Sequence, residues 1–105
     1  MAHIPDNITQ IIQKYLAALQ AHNIPIQQVF LFGSYAKGNY TEWSDIDLAV
    51  VSDSFEGRRF EDRKKIRPIT LSGSSRIEVL PYRPEDFTPE DPFVCEILKT
   101  GIQIV

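Results

Sequence analysis

The segment QVFLF, Gln28 to Phe32, constrains the fold more than any other part of the chain because it carries no polar alternation. A strand with one face in water alternates apolar and polar residues. A short continuous apolar run instead needs cover on both faces, as in the inner strand of a helix-covered sheet. The run stops at Gly33, and the rest of the chain has to supply the layers that bury it.

One layer is legible immediately upstream. Between Pro5 and Asn23 the residues Ile8, Ile11, Ile12, Tyr15, Leu16 and Leu19 recur at the spacing of one helical face. Asn7 and Gln10 have the pattern of a capping box, and Ile24-Pro25 disfavours continuation, so the spacing predicts a helix ending near His22 or Asn23. Downstream, Asp45 to Val51 reads as a second strand. Ile46, Leu48 and Val50 point one way, and Asp45, Asp47, Ala49 and Val51 the other.

The residues from Glu56 to Arg67 are mostly charged, with Phe60, Ile66 and Ile69 as sparse apolar positions, and predict a helix that Pro68 interrupts. RIEVLPY, Arg76 to Tyr82, predicts a third strand with Ile77 and Val79 facing a core and Glu78 on the opposite side. Pro81 to Pro92 reads as a connection. Asp91 as N-cap, Pro92 at the first helical position and Gly101 as a stop frame a short last helix, and the closing IQIV can add a fourth strand at a sheet edge. At 105 residues the expectation is one domain, residues 1–105, of α/β (α+β) class.

No stretch approaches the roughly 18 apolar residues of a membrane span. The opening MAHIPDN lacks the basic-then-apolar pattern of a secretory leader. Cys95 is the one cysteine, so it has no internal disulfide partner, and it reads as a buried small hydrophobe on the last helix. These features set the expectation of a cytoplasmic protein with no membrane association. A net charge of −3 argues against direct, sequence-independent nucleic-acid binding, which needs many Lys and Arg to neutralise phosphates. His3 and His22 are too far apart for a His/Cys metal motif.

The two aspartates are the anomaly. On one face of a strand, Asp45 and Asp47 stand roughly 6 to 7 Å apart at Cα. Partly withdrawn from water they repel, and one tends to protonate unless a cation lies between them. Oxygen-only ligands of high negative charge suit Mg²⁺, which keeps several waters and takes further ligands from substrate phosphates. Taken alone, the pair also fits the solvated start of a strand, where Ser-Asp is common turn chemistry. Its neighbours add to it. Gly33 permits close backbone approach, and Ser34 opening a short helix, SYAKG, offers a hydroxyl and exposed N–H groups to an anion, although an ordinary strand-to-helix turn fits as well. Gly33 to Gly38 is not a P-loop, because Asn39-Tyr40 stands where Lys-Ser/Thr is required.

In chain order, GSYAKG…SDIDLAV resembles the nucleotidyltransferase superfamily, whose signature is Gly-Ser, a short helix and Asp-x-Asp. That superfamily includes DNA polymerase beta, poly(A) polymerases, CCA-adding enzymes and aminoglycoside nucleotidyltransferases. The fullest similarity is to its minimal nucleotidyltransferase (MNT) family and covers nearly the whole chain, down to FVCEILKTGIQIV as a final helix and strand. The resemblance implies a small mixed sheet of about four strands flanked by helices. It implies that Gly33 and Ser34 hold the triphosphate and that Asp45 and Asp47 hold metal, as two Mg²⁺ ions. The third acidic position, commonly aspartate in these small proteins, is Glu78 here, as metal ligand or base. Glu42 and Asp53 lie in a preceding turn and beyond the strand, and read as solvated charges.

The chemistry so implied is attack by an acceptor hydroxyl on the α-phosphate of ATP, with pyrophosphate leaving. Similar minimal proteins occur as antitoxins beside an all-helical HEPN toxin, some transferring AMP to a toxin tyrosine, and that role is the expectation here. Two alternatives stand beside it: a non-catalytic antitoxin that masks the toxin by binding, and nucleotidyl transfer to a small molecule or an RNA end. Arg58, Arg59, Arg63, Lys64, Lys65 and Arg67 suit triphosphate or an acidic partner, or, interspersed with Glu61 and Asp62, an ordinary solvated face. Trp43, Tyr35 and Tyr40 fit base stacking, the lining of an interface or local packing.

Overall fold

The computed structural model describes residues 4–72 and 76–105. Its elements run α1 (Asp6–Ala21), β1 (Gln28–Phe32), α2 (Ser34–Lys37), β2 (Ile46–Val51), α3 (Arg59–Ser72), β3 (Ile77–Tyr82), a 3₁₀ turn (Pro84–Asp86), α4 (Pro92–Thr100) and β4 (Ile102–Gln103). The strands form one sheet in the order β3-β2-β1-β4. β1 is antiparallel to both β2 and β4, whereas β2 and β3 are parallel, so the sheet is mixed. QVFLF is an inner strand, as its composition requires.

Each face of the sheet has its own core. On one face Val29, Leu31, Ile46, Leu48, Val50, Ile77 and Val79 pack with α1 (Ile8, Ile12, Tyr15, Leu16, Leu19) and α3 (Ile66, Ile69). On the other, Phe30, Ala49, Val51 and Tyr82 pack with Phe87 and with Val94 and Ile97 of α4. The alternation expected along β2 is therefore observed. The second core is smaller, and beyond it the sheet continues to Asp47 and Glu78.

The end of α1 follows from local rules. Asn23 takes a left-handed backbone (φ 64°), Ile24 N–H donates to the Leu19 carbonyl (3.0 Å) and Asn23 N–H to that of Gln20 (3.0 Å). This is a Schellman motif, closed by burial of Ile24 beside Leu19. The expected capping box does not form. The helix begins at Asp6, so Asn7 already lies inside it, and the Pro5 carbonyl accepts from Ile8 and Thr9 (both 3.0 Å).

α3 departs from expectation at both ends. It starts three residues later than Glu56 and continues past Pro68 to Ser72. Pro68 is exposed, and burial of Ile66 and Ile69 on either side outweighs the hydrogen bond that proline removes. Thr70 adds a tie, donating to the Ile66 carbonyl (3.2 Å) and bonding the Tyr15 hydroxyl (2.9 Å). Pro81 lies within β3 and not only in a connection, which an edge strand tolerates. In α4, Asp91 caps as expected, accepting from Phe93 N–H (2.8 Å) and Val94 N–H (3.4 Å). Gly101 ends the helix through close approach: a Cβ there would crowd the Ile97 and Leu31 carbonyls. Cys95 is half-buried, not buried. No helix among the described residues is long and apolar enough to cross a membrane.

Candidate active site

Strand direction brings the acids and the glycine together. Because β1 and β2 are antiparallel, the C-terminal end of β1 meets the N-terminal end of β2, and Phe32 pairs with Asp47. Because β3 is parallel to β2, its start lies at the same sheet end, and Glu78 pairs with Asp47. Phe32, Asp47 and Glu78 thus form one row across three strands, spaced about 4.8 Å apart between neighbours. Asp45 precedes β2, exposed, and Gly33 follows β1.

Gly33 is held against Asp47. Its backbone has φ 75° and ψ −148°, a combination other residues avoid, and a Cβ would overlap the Asp47 carboxylate oxygen Oδ2. From there α2 makes a single turn, in which Ala36 and Lys37 N–H donate to the Gly33 carbonyl (both 3.1 Å). The N–H groups at the start of such a turn have no acceptor within it, and Ser34 stands among them.

Asp47 is half-buried. Burial, then the Asp45 charge, then the Glu78 charge raise its pKa above the ordinary carboxylate value, so every influence on it disfavours the ionised form. A hard divalent cation reverses that penalty. The expected strand start at Asp45 is not observed, since β2 begins at Ile46, but the Asp45 carboxylate lies close enough to act on Asp47 and the two are natural oxygen donors. Glu78 is engaged elsewhere. Its Oε2 pairs with Arg63 Nη2 of α3 at 3.3 Å, and among the described residues no three His, Cys, Asp or Glu side chains are gathered closely enough to hold a metal ion. The donor chemistry therefore fits a divalent ion at Asp45 and Asp47, while Glu78 Oε2 is turned to Arg63.

The remaining candidates sort clearly. Asp53 lies at the far end of β2 and accepts from Gln27 Nε2 (2.6 Å), and Glu42 is exposed in the turn before Asp45. Of the basic cluster, Arg63 faces Glu78, Lys65 Nζ donates to the Ser54 carbonyl (2.8 Å), and Arg58, Lys64 and Arg67 are exposed. The Arg59 side chain and His3 lie outside what is described. Asp62 is not a solvated acid: it is 1% exposed and accepts from the N–H groups of Glu56 (2.8 Å) and Gly57 (3.0 Å). Tyr35 and Tyr40 stack on each other with centroids 4.6 Å apart, which is local packing, whereas Trp43 is 84% exposed.

Sequence reasoning passes over two features of this sheet end. Phe93, at the start of α4, meets Phe32 edge to face at 5.7 Å and so walls one side of the Asp47 row. Arg76, half-buried, donates through Nη2 (2.9 Å) and Nε (3.3 Å) to the Ser44 carbonyl and through Nη2 to the Tyr35 hydroxyl. The one sequence signal for Arg76 is a cation standing directly before an apolar strand, which does not separate it from an ordinary strand-flanking charge.

With this geometry, the family follows. Residues 12–105 match the family described as Nucleotidyltransferase domain, and the chain belongs to it. It is 37% identical over 83 residues to "Putative protein adenylyltransferase MJ1305" of Methanocaldococcus jannaschii, covering 73% of this chain and 56% of that protein. A second protein of that organism, "Putative protein adenylyltransferase MJ0141", is 30% identical over 81 residues, or 75% of this chain and 79% of the relative. The chain thus spans little more than half the length of the first. Among solved structures it superposes, with a TM-score of 0.54 and 25% identity, on a chain of a toxin-antitoxin crystallised with AMP-PNP, over 89% of this chain and 72% of that one. The mixed sheet and its flanking helices are those of this family.

Proposed function

We propose that residues 1–105 act as one nucleotidyltransferase domain that moves AMP from ATP onto a hydroxyl, a tyrosine, of a HEPN-type toxin in the cytoplasm, and so serve as its antitoxin. The observation that carries the reading is the row centred on Asp47: a half-buried carboxylate with Gly33 against it, whose burial and whose neighbours Asp45 and Glu78 disfavour its charge unless a cation is bound. The relatives named as protein adenylyltransferases support the reaction, and the toxin-antitoxin solved with AMP-PNP supports an adenine nucleotide and a toxin partner.

In this reading Gly33 and Ser34 receive the triphosphate, Gly33 by leaving its backbone accessible and Ser34 by its hydroxyl and N–H. Asp45 and Asp47 hold the divalent metal, and Glu78 completes the set or takes the acceptor proton after release from Arg63. Two Mg²⁺ ions at such a site supply a lowered acceptor pKa and neutralise charge on the leaving pyrophosphate. The acceptor oxygen bonds to the α-phosphorus, the bond from that phosphorus to the bridging oxygen breaks, pyrophosphate departs with the electron pair, and the hydroxyl proton passes to a carboxylate.

The test is transfer of α-labelled ATP with Mg²⁺ to the protein encoded beside this one, wild type against Asp47→Asn, read on a denaturing gel. Covalent label on the partner that disappears in the variant is the expected result. The engagement of Glu78 by Arg63 favours a second reading, masking by contact alone. A verified complex with no label in well-folded wild type would replace the first reading with that one.

A further inference from the structure

Asp45 lies outside every regular element, yet a metal ligand has to be held still. The residues on either side of it are both bound by the same residue. The Ser44 carbonyl accepts from the Arg76 guanidinium at 2.9 and 3.3 Å, and Ile46 N–H donates to the Arg76 carbonyl at 2.8 Å. The same guanidinium donates to the Tyr35 hydroxyl and lies 5.9 Å from the Tyr35 ring centroid. Tyr35 is 2% exposed and follows Ser34 directly, so it is a fixed point of α2.

We propose that Arg76 is a positioning residue that ties the Gly33-Ser34 turn to the acidic loop, holding Asp45 where it can share a cation with Asp47. The proposal rests on the reading of Asp45 and Asp47 as metal ligands. The planar guanidinium suits the task because it serves one carbonyl with two N–H groups while reaching a second element, which a lysine ammonium cannot reproduce. A second contribution comes from Thr41 and Ser44, where Thr41 N–H donates to Ser44 Oγ (2.8 Å) and Ser44 N–H to the Thr41 carbonyl (3.1 Å). The loop is closed on itself, and Arg76 sets where the closed loop sits.

A double-mutant cycle on Mn²⁺ affinity of the full chain, without nucleotide or partner, tests this. Residues that orient metal ligands typically cost roughly 10-fold or more in affinity when replaced, so Arg76→Gln is expected to weaken Mn²⁺ binding about 10-fold. Arg76→Lys, which keeps the charge, is expected to recover only part of that. Tyr35→Phe, which removes the hydroxyl contact with Arg76 and keeps the buried ring, should give a smaller loss. In an Asp45→Asn background, Arg76→Gln and Tyr35→Phe should cost nothing further, because the ligand they position is gone. Amide hydrogen exchange should quicken at Asp45 and Ile46 and remain unchanged in β1.

Losses from Arg76→Gln and Tyr35→Phe that are as large in the Asp45→Asn background as in wild type would overturn the positioning role while leaving the metal reading intact. Full rescue by Arg76→Lys would do the same, reducing the effect to charge. A wild-type chain that binds no Mn²⁺, or an Asp45→Asn variant that binds it as tightly as wild type, would overturn both.

Discussion

Two carboxylates, one associated with each end of the sheet, are treated in opposite ways. Asp62, next to the end where Val51 and Tyr82 finish, is almost wholly buried, yet its two oxygens each accept a backbone N–H from the Glu56-Gly57 turn. Close by, Arg83 pairs with Asp86 at 2.7 Å, and that hydrogen bond holds the Asp86 carboxyl below its ordinary value. At the other end Asp47 is less buried, but burial and two like charges all push its pKa upward. The first end is satisfied by the protein alone. The second is left with a charge imbalance that the fold creates by its own strand pairing, and that a bound cation would resolve.

The sharpest way to test the contrast is Asp47→Asn. At the open end it should abolish nucleotidyl transfer, by on the order of 10³-fold, while raising the Tm of the metal-free chain by a few degrees. The corresponding change at the closed end should do the reverse. Asp62→Ala removes the buried carboxylate that accepts the part-buried N–H groups of Glu56 and Gly57 and is expected to cost about 2 to 4 kcal/mol in denaturant unfolding, with transfer per folded molecule nearly unchanged. If Asp47→Asn destabilised the metal-free chain as much as Asp62→Ala does, the two ends would not differ in kind.

Gly33→Ala should fall between them. It places a methyl group on the Asp47 carboxylate in a left-handed backbone, and is expected to cost about 1 to 3 kcal/mol and to lower Mg²⁺ affinity, read by titration.

The pH dependence gives a finer measure. The folded chain holds the Asp47 proton to higher pH than the unfolded chain does. Relative to Asp47→Asn, wild type should therefore be equally stable below the ordinary carboxylate range and lose stability as pH rises through that range and the raised folded value. Above it the deficit should be constant. Saturating Mg²⁺ should cancel the deficit, adding roughly 2.7 kcal/mol at a hundred times the dissociation constant. Thermal melts at several pH values, with and without Mg²⁺, check both.

The smallest effect expected is on stability from Arg63→Ala, within about 0.5 kcal/mol, because the pair with Glu78 is about half exposed on both sides. Its value is in transfer: equal or faster labelling is expected if Glu78 serves the reaction once released, whereas a large loss would assign Arg63 to the triphosphate.

Most of the elements were legible in the sequence because their signals are local. QVFLF, the alternation from Ile46 to Val51, and Asp91-Pro92 each carry their own physical reason within a few residues. The weak readings were those in which a distant partner outweighs a local preference. Pro68 reads as a break, but the core contacts of Ile66 and Ile69 carry α3 through it. Asp62 reads as one more surface acid in a charged helix, and only the turn at Glu56-Gly57 makes it a buried cap.

The sequence by itself determined the two-sided sheet, the close spacing of Asp45 and Asp47, and the need for glycine after β1, since side-chain period and backbone freedom are properties of neighbouring residues; β2 itself begins at Ile46, so only Asp47 of the pair lies on the strand. Only the tertiary structure decided that Glu78 stands beside Asp47, that its side chain is drawn to Arg63, and that Arg76 grips both flanks of Asp45. Those relations join residues from 15 to 32 positions apart. They depend on strand order and direction, which the burial of two apolar faces settles for the chain as a whole.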